Sequence, residues 1–159
     1  MPWESLACEG ERVGWVKMKP DTERPSRLIA LAGNPNVGKS TLFNALTGMR
    51  QHTGNWSGKT VGCAMGECRR GKSVFRVVDL PGTYSLQTRS EEERAAKEFI
   101  CSDAPDLVAV VCDATCLARN LILVLQILAV TDRVAVCVNL MDEAEKKGIS
   151  VDLAVLRDR

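Results

Sequence analysis

Blocks of apolar and polar residues alternate along this chain and predict strands and helices in alternation. Three nearly continuous aliphatic runs, at residues 27–33, 106–113 and 133–139, are typical of strands buried on both faces of a parallel sheet. Helical spacing of apolar positions, or a capping pattern, predicts helices at residues 39–48, 90–101, 117–130 and 142–147, with a further one starting at 151–157.

Two weaker strand candidates, residues 62–70 and 73–79, flank Gly71 and predict an antiparallel hairpin. The polar, glycine-rich stretch 49–61 is predicted to be a loop. Strands that alternate with helices indicate an α/β fold, a doubly wound and mainly parallel sheet with helices on both faces.

Residues 1–26 differ from the rest because they carry mixed charge and three prolines without an apolar period. We expect a poorly ordered N-terminal extension there and a single domain over residues 27–159.

Composition narrows the class of protein. Lys plus Arg is 21 and Asp plus Glu is 20, and the net charge of +1 argues against a general nucleic-acid binder. Hydrophobic residues make up 45% of the chain and charged residues 26%, which excludes disorder throughout. The longest apolar stretch, residues 121–130, is about half the length that crosses a bilayer and is interrupted by Gln126, so no transmembrane helix is predicted.

The first motif that carries chemistry is the segment 33–40, GNPNVGKS, which fits G-x-x-x-x-G-K-[ST] between a predicted strand and a predicted helix. Glycines there let successive backbone N–H groups point at phosphate oxygens, and the helix N-terminus adds partial positive charge. Lys39 would supply a full charge to the outer phosphates, and the Ser40 hydroxyl is placed for Mg²⁺. The motif predicts a nucleoside triphosphate site; the alternative is a chance glycine-rich turn.

The second motif, DLPG at residues 79–82, ends the predicted strand 73–79. An Asp at the carboxyl end of a strand beside a phosphate loop can hold Mg²⁺ through water, and Gly82 can bring its backbone N–H to a γ-phosphate. Alone, the tetrapeptide is a common turn. Its place about forty residues after the phosphate loop favours the magnesium role.

The third motif, NLMD at residues 139–142, ends the strand predicted at 133–139. An amide at Asn139 and a carboxylate at Asp142 can reach one planar base, and the carboxylate can accept two N–H bonds from guanine. Adenine lacks that pair of donors, so the motif predicts a preference for guanine. The alternative for this tetrapeptide alone is a helix cap.

A threonine in the loop TGNWSGKTV, residues 53–61, can complete a magnesium shell only when a γ-phosphate is present. That dependence would make the loop a switch that is ordered by the triphosphate and released on hydrolysis.

Taken in order, GNPNVGKS, the loop residue Thr60, DLPG and NLMD resemble the Ras-like P-loop GTPases over roughly residues 27–150. The longer strings GNWSGKTV, DLPGTYSL and NLMDEAEKKG resemble the G domain of the bacterial ferrous-iron transport protein B (FeoB) family. The resemblance implies a GTPase domain on the cytoplasmic face of the inner membrane. In that family the domain is followed by a small helical domain and a polytopic membrane region that carries Fe²⁺.

The resemblance also implies residue roles. Backbone amides from the phosphate loop would bind GTP or GDP, Ser40 and Thr60 would ligate Mg²⁺, and Asp79 would hold the ion through water. Lys39, Thr60 and Gly82 would act in catalysis. The implied GTP-binding set is Asn36, Val37, Gly38, Lys39, Ser40, Thr41, Asp79, Gly82, Asn139 and Asp142.

Potassium is a further implication, since the family resembles the potassium-activated GTPases. The Asn36 side chain would hold K⁺, helped by carbonyls of Gly54 and Trp56. A cation there can take the place of an arginine finger. Without the family match, an asparagine that satisfies its own loop explains Asn36 equally well.

Three departures qualify the resemblance. Thr83 follows DLPG where Ras has a water-orienting glutamine, which predicts slow hydrolysis with no named general base. Leu140 replaces the common lysine after Asn139, so the base loses an aliphatic contact. The sequence ends at Arg159, before the last strand and helix of a G domain, so we expect a truncated domain with an exposed sheet edge.

Three functions remain open on the sequence. The first is a slow GTPase that gates ferrous-iron uptake, and the GNWSGKTV and TYSL segments favour it. The second is a GTP-switched module of ribosome or tRNA-modification assembly, which shares GNPNVGKS and DxPG. The third is a nucleotide-binding remnant that no longer turns over.

Overall fold

The computed structural model of the chain describes residues 26–48, 51–54 and 62–157, with the backbone alone at 51–54 and 157. The strands are β1 Arg27–Gly33, β2 Gln51–Gly54, β3 Cys63–Arg70, β4 Ser73–Asp79, β5 Leu107–Asp113 and β6 Val134–Asn139. The helices are α1 Lys39–Thr47, α2 Glu91–Ser102, α3 Leu117–Leu128, α4 Met141–Lys146 and α5 Leu153–Arg157, with a 3₁₀ turn at Ala114–Cys116.

Within the described ranges, six strands form one sheet in the order β2-β3-β4-β1-β5-β6. Strand β1 lies at the centre and pairs in parallel with β4 and β5, and β5 pairs in parallel with β6. The β3–β4 hairpin is antiparallel, as the sequence predicts. The mainly parallel, doubly wound sheet is therefore confirmed.

Helices cover both faces of the sheet because alternate residues of each buried strand point to opposite sides. On one face, side chains of α2 and α3 pack on the sheet; this core includes Ala30, Ala32, Val78, Val108, Val110, Phe99, Leu123 and Ile127. On the other face, Phe43 of α1 packs with Leu31, Val77 and Ala109.

The start of α2 follows the predicted capping pattern in part. The Ser90 hydroxyl accepts a hydrogen bond from the Glu93 backbone N–H at 3.2 Å. The Glu93 carboxylate does not return to the Ser90 amide; it accepts from the Arg89 N–H at 2.9 Å and from the Ser85 hydroxyl at 2.7 Å. The first turn of α2 is thus tied to the loop that precedes it.

The structure corrects two of the predicted elements, a loop that contains a strand and the end of a helix. The stretch 49–61, predicted to be a loop, contains β2, which pairs antiparallel with β3 from Gln51 opposite Gly66 to Gly54 opposite Cys63. Pairing with the edge of a hairpin supplies hydrogen bonds that local propensity does not reveal. Helix α3 ends at Leu128 rather than at residue 130, where the Val130 N–H turns back to the Ile127 carbonyl.

Residues 1–25 lie outside the described residues, so the predicted N-terminal extension stays a prediction. Among the described helices, none combines the length and the apolar character needed to span a bilayer.

Candidate functional site

The three sequence motifs meet at one edge of the sheet. The parallel strands β1, β4, β5 and β6 all end at this edge, which brings the segments after Gly33, Asp79 and Asn139 together. Ligands of open α/β sheets bind in the crevice outside the carboxyl ends of the strands.

The phosphate loop runs from the end of β1 to the start of α1 with two residues in left-handed backbone conformation. Asn36 has a φ of +65° and Gly38 a φ of +84°. Left-handed residues interleaved with ordinary ones turn successive N–H groups to the same side, which is the geometry of an anion-binding nest. Gly38 is also the N-cap of α1 and has no side chain that competes for the helix N–H groups.

Lys39, Ser40 and Asp79 form a polar cluster at the mouth of this nest. The Lys39 ammonium forms an ion pair with one oxygen of Asp79, and the Ser40 hydroxyl lies 3.1 Å from the other oxygen. The Lys39 and Asp79 side chains are only 9% and 11% exposed, so their charges act where screening by water is weak.

The oxygen atoms of this cluster are of the kind that binds magnesium. Mg²⁺ takes oxygen ligands, usually one or two from protein together with phosphate and water oxygens. The Ser40 hydroxyl and a carboxylate oxygen of Asp79 lie 3.1 Å apart, close enough to serve one metal ion. By contrast, the described residues contain no group of three or more His, Cys, Asp or Glu side chains that could hold a metal ion.

The DLPG segment lies directly against the phosphate loop. The Thr83 N–H donates to the Gly33 carbonyl at 3.1 Å. A Cβ atom on Gly82 would come within 3.2 Å of Pro35 Cα, which is tighter than ordinary contact. Glycine at 82 therefore permits a close approach of this segment to the phosphate loop, and the predicted contact of its N–H with a γ-phosphate stays a prediction.

Asn139 has a contact that the sequence did not reveal. Its side-chain Nδ2 donates to the Val37 carbonyl at 2.9 Å, which ties the predicted base-binding segment to the phosphate loop. A Cβ atom on Gly38 would lie 2.4 Å from this same nitrogen. The glycine at 38 thus serves both the left-handed backbone and the room for Asn139.

Asp142 lies in the first turn of α4 after Leu140, which has a left-handed φ of +59°. Its side chain is 73% exposed, and its described ion pair is with Lys146 at 3.7 Å. The carboxylate therefore faces solvent and is accessible to a ligand rather than joined to the phosphate-loop cluster.

Two further polar residues at this edge escaped the sequence analysis. Asn34 is only 4% exposed, and its Oδ1 has no hydrogen-bond partner among the described residues. Asp113 ends β5 opposite Asn139 in the register and accepts from the Thr115 N–H at 2.7 Å. Burial opposes ionisation of Asp113, but hydrogen bonds from Thr115 outweigh it and hold the pKa of this carboxyl below its usual value.

Part of the predicted site falls outside the described residues. Thr60, predicted for Mg²⁺ and catalysis, and Trp56, predicted for K⁺, both lie outside the described residues. Gly54 is described by its backbone as the last residue of β2. Asn36, the other predicted potassium ligand, has an exposed side chain.

A family model described as Ferrous iron transport protein B matches residues 27–159. The chain belongs to this family. The FeoB resemblance read from GNPNVGKS, GNWSGKTV, DLPGTYSL and NLMDEAEKKG is thereby confirmed.

Curated FeoB relatives agree with this assignment. The Fe(2+) transporter FeoB of Methanocaldococcus jannaschii is 54% identical over 100 residues, which are 63% of this chain and 15% of that protein. The Fe(2+) transporter FeoB of Campylobacter jejuni is 44% identical over 128 residues, 80% of this chain and 21% of that protein. The matched segments therefore span only 15% and 21% of the length of these two relatives.

Solved FeoB structures share the fold. The G domain of T. maritima FeoB aligns with a TM-score of 0.78 and 38% identity, covering 84% of this chain and 82% of that one. The cytosolic domain of T. maritima FeoB in a GDP form aligns with a TM-score of 0.81 and 38% identity, covering 86% of this chain and 54% of that one. The α/β fold predicted for a Ras-like P-loop GTPase is confirmed.

Proposed function

We propose that this chain is the GTP-binding and slowly GTP-hydrolysing domain of a ferrous-iron membrane transporter, and that it switches between GTP and GDP states to gate Fe²⁺ uptake. The observation that carries the proposal is the polar cluster of Lys39, Ser40 and Asp79 at the mouth of the backbone nest. A nest of N–H groups, an ammonium and two magnesium-type oxygens together match a magnesium-bound polyphosphate and little else.

Binding would exchange partners within the cluster. The Lys39 ammonium now neutralises Asp79. Phosphate oxygens are stronger partners for the ammonium, so a bound nucleotide would draw Lys39 to the outer phosphates and free the Asp79 carboxylate. Ser40 and Asp79 would then hold magnesium, which when bound neutralises charge between the β- and γ-oxygens. Thr60 would complete this set in the GTP state.

Guanine would be selected by Asp142, with Asn139 fixing the base-binding segment to the phosphate loop through Val37. An exposed carboxylate is free to accept the two N–H bonds that guanine offers and adenine does not.

Slow turnover follows from the segment after DLPG. Thr83 is buried, its N–H is engaged by the Gly33 carbonyl, and its side chain has no carboxamide to orient a water molecule. Catalysis would then rest on Lys39, Thr60 and the Gly82 N–H, with K⁺ held by Asn36, Gly54 and Trp56 supplying the remaining positive charge.

The setting of this domain is part of the same proposal. FeoB relatives of which the matched segment covers only about a fifth are named Fe(2+) transporters, and a T. maritima structure is described as the cytosolic domain of FeoB. We place the domain at the cytoplasmic face of the inner membrane, linked to helical and transmembrane regions. No observation favours the assembly or tRNA-modification alternative, since the family model and the relatives named above are all FeoB.

Phosphate release from GTP in the presence of Mg²⁺ tests the proposal. The Lys39→Ala variant should release phosphate at the background rate, because the outer phosphates lose their only full positive charge from the loop. Lys72→Ala, in the exposed turn between β3 and β4, is the matched control and should hydrolyse GTP like the unmodified protein. Turnover that persists in Lys39→Ala would reject the site.

A further inference from the structure

The irregular segment 83–89 joins the predicted γ-phosphate contact at Gly82 to helix α2, and α3 holds it at two adjacent points. The Arg119 guanidinium of α3 lies 4.8 Å from the centre of the Tyr84 ring. Two residues further along the segment, the Leu86 N–H donates to Oε1 of Gln126, also on α3, at 2.7 Å. The segment is therefore attached to a helix more than thirty residues away in sequence.

Gln126 is the polar interruption in an otherwise apolar stretch of α3, LILVLQIL. Leu86 is only 1% exposed and lies in the core formed with Leu123 and Ile127. A buried backbone N–H outside regular structure needs a partner, and leaving one unpaired is strongly unfavourable. The Gln126 amide supplies that partner, which accounts for a glutamine at a position where packing alone would favour an apolar residue.

The attachment lies close enough to Gly82 to set its position. Leu86 is four positions after Gly82, and a chain advances at most about 3.6 Å per residue, so Gly82 stays within roughly 14 Å of the point held by Gln126. On the other side, Thr83 is hydrogen-bonded to Gly33 and Gly82 lies against Pro35. The loop is thus fixed at both ends over a short span.

We propose that Gln126 is a positioning residue for GTP: by holding the Leu86 N–H, it sets the placement of the Gly82 N–H relative to the γ-phosphate. The proposal rests on the proposed GTPase function. Gln126 touches neither nucleotide nor magnesium and acts through the loop. Because GDP lacks the γ-phosphate, Gln126 should matter for GTP and for its non-hydrolysable analogues but not for GDP.

Two substitutions separate the hydrogen bond from the bulk of the side chain. Gln126→Met keeps the length of the side chain but loses the acceptor, whereas Gln126→Glu keeps an acceptor oxygen for the Leu86 N–H. Leu125→Ala is the control on the same helix, since Leu125 is 67% exposed and lies outside the core.

The experiment measures GTP turnover, the affinities for GDP and for a non-hydrolysable GTP analogue, and the melting temperature of each variant. In Gln126→Met, kcat/KM for GTP and the affinity for the analogue should fall about tenfold, with the GDP affinity unchanged, because the released loop must give up the free energy of about one hydrogen bond to bring the Gly82 N–H back to the γ-phosphate. Gln126→Glu should recover most of that loss, and Leu125→Ala should match the unmodified protein.

Two results would overturn the positioning role. One is unchanged GTP and analogue parameters in Gln126→Met; the other is an equal loss for GDP and analogue, which a purely structural role produces. Failure of the proposed function gives a different result. The unmodified protein would then bind neither GDP nor the GTP analogue, or it would bind them and release no phosphate from GTP. If binding survives without turnover, the ratio of analogue to GDP affinity still decides the role of Gln126.

Discussion

Single residues at the carboxyl edge of the sheet show what a sequence motif reveals and what it omits. Lys39 and Asp79 are 40 positions apart, yet the motifs predicted their meeting because parallel strands end at the same edge. The bond from Asn139 to the Val37 carbonyl was not predicted. A pattern identifies the residue type and the end of a strand, but it does not say which of several acceptors a side-chain amide will choose.

Guanine recognition is tested at one of these residues. In Asp142→Asn, one acceptor oxygen is replaced by an NH₂ donor, so GTP and GDP should bind about 10²-fold more weakly and xanthosine nucleotides more tightly. The side chain is 73% exposed, so stability should change little. Competition binding with GTP, GDP and the corresponding xanthosine triphosphate and diphosphate measures these affinities. Glu145→Gln, on the exposed side of α4, is the control. Unchanged GTP affinity in Asp142→Asn would remove Asp142 from the base pocket.

Whole elements were predicted well where the apolar period was strong and poorly where tertiary pairing decides. Strand β1 and helix α1 match their predicted ranges to within a residue, because a buried strand and a glycine stop at Gly48 are local signals. Strand β2 was missed because its four residues carry no apolar alternation and its partner β3 begins only at Cys63. Long-range pairing of this kind leaves no periodic trace in the sequence.

Potassium dependence belongs to the scale of elements, since two separate segments of the chain must combine to form the proposed site. Asn36 comes from the phosphate loop, and Gly54 and Trp56 from the stretch that follows α1. Replacing K⁺ with Na⁺ should slow GTP hydrolysis, because the smaller ion fits poorly among carbonyl ligands spaced for the larger one. Asn36→Gly should remove the difference between the two salts without altering the fold, since this side chain is exposed and glycine readily adopts the left-handed φ of +65°. Equal rates in both salts for the unmodified protein would dismiss the potassium assignment.

At the scale of the molecule, the fold explains why phosphate, magnesium and base contacts come from separate parts of the chain. Central strand β1 brings the phosphate loop between the ends of β4 and β5, and β6 adds the base-binding segment beside β5. Alternating strands and helices predicted a mainly parallel, doubly wound sheet but not the order of its strands. The attachment of segment 83–89 to α3 was not predicted either, since only the packed structure brings Leu86 to Gln126.

The central claim is that a backbone nest centred on Gly38 binds a guanine nucleotide. Its most direct test is a calorimetric titration of GDP with Mg²⁺ into the unmodified protein, Gly38→Ala and Gly48→Ala. Both glycines have positive φ, +84° and +61°, but a Cβ at 38 would lie 2.4 Å from Asn139 Nδ2, whereas nothing lies within 4 Å of a Cβ at 48. The account predicts binding heat for the unmodified protein and for Gly48→Ala, and none for Gly38→Ala. No heat with the unmodified protein, or full binding by Gly38→Ala, would contradict it.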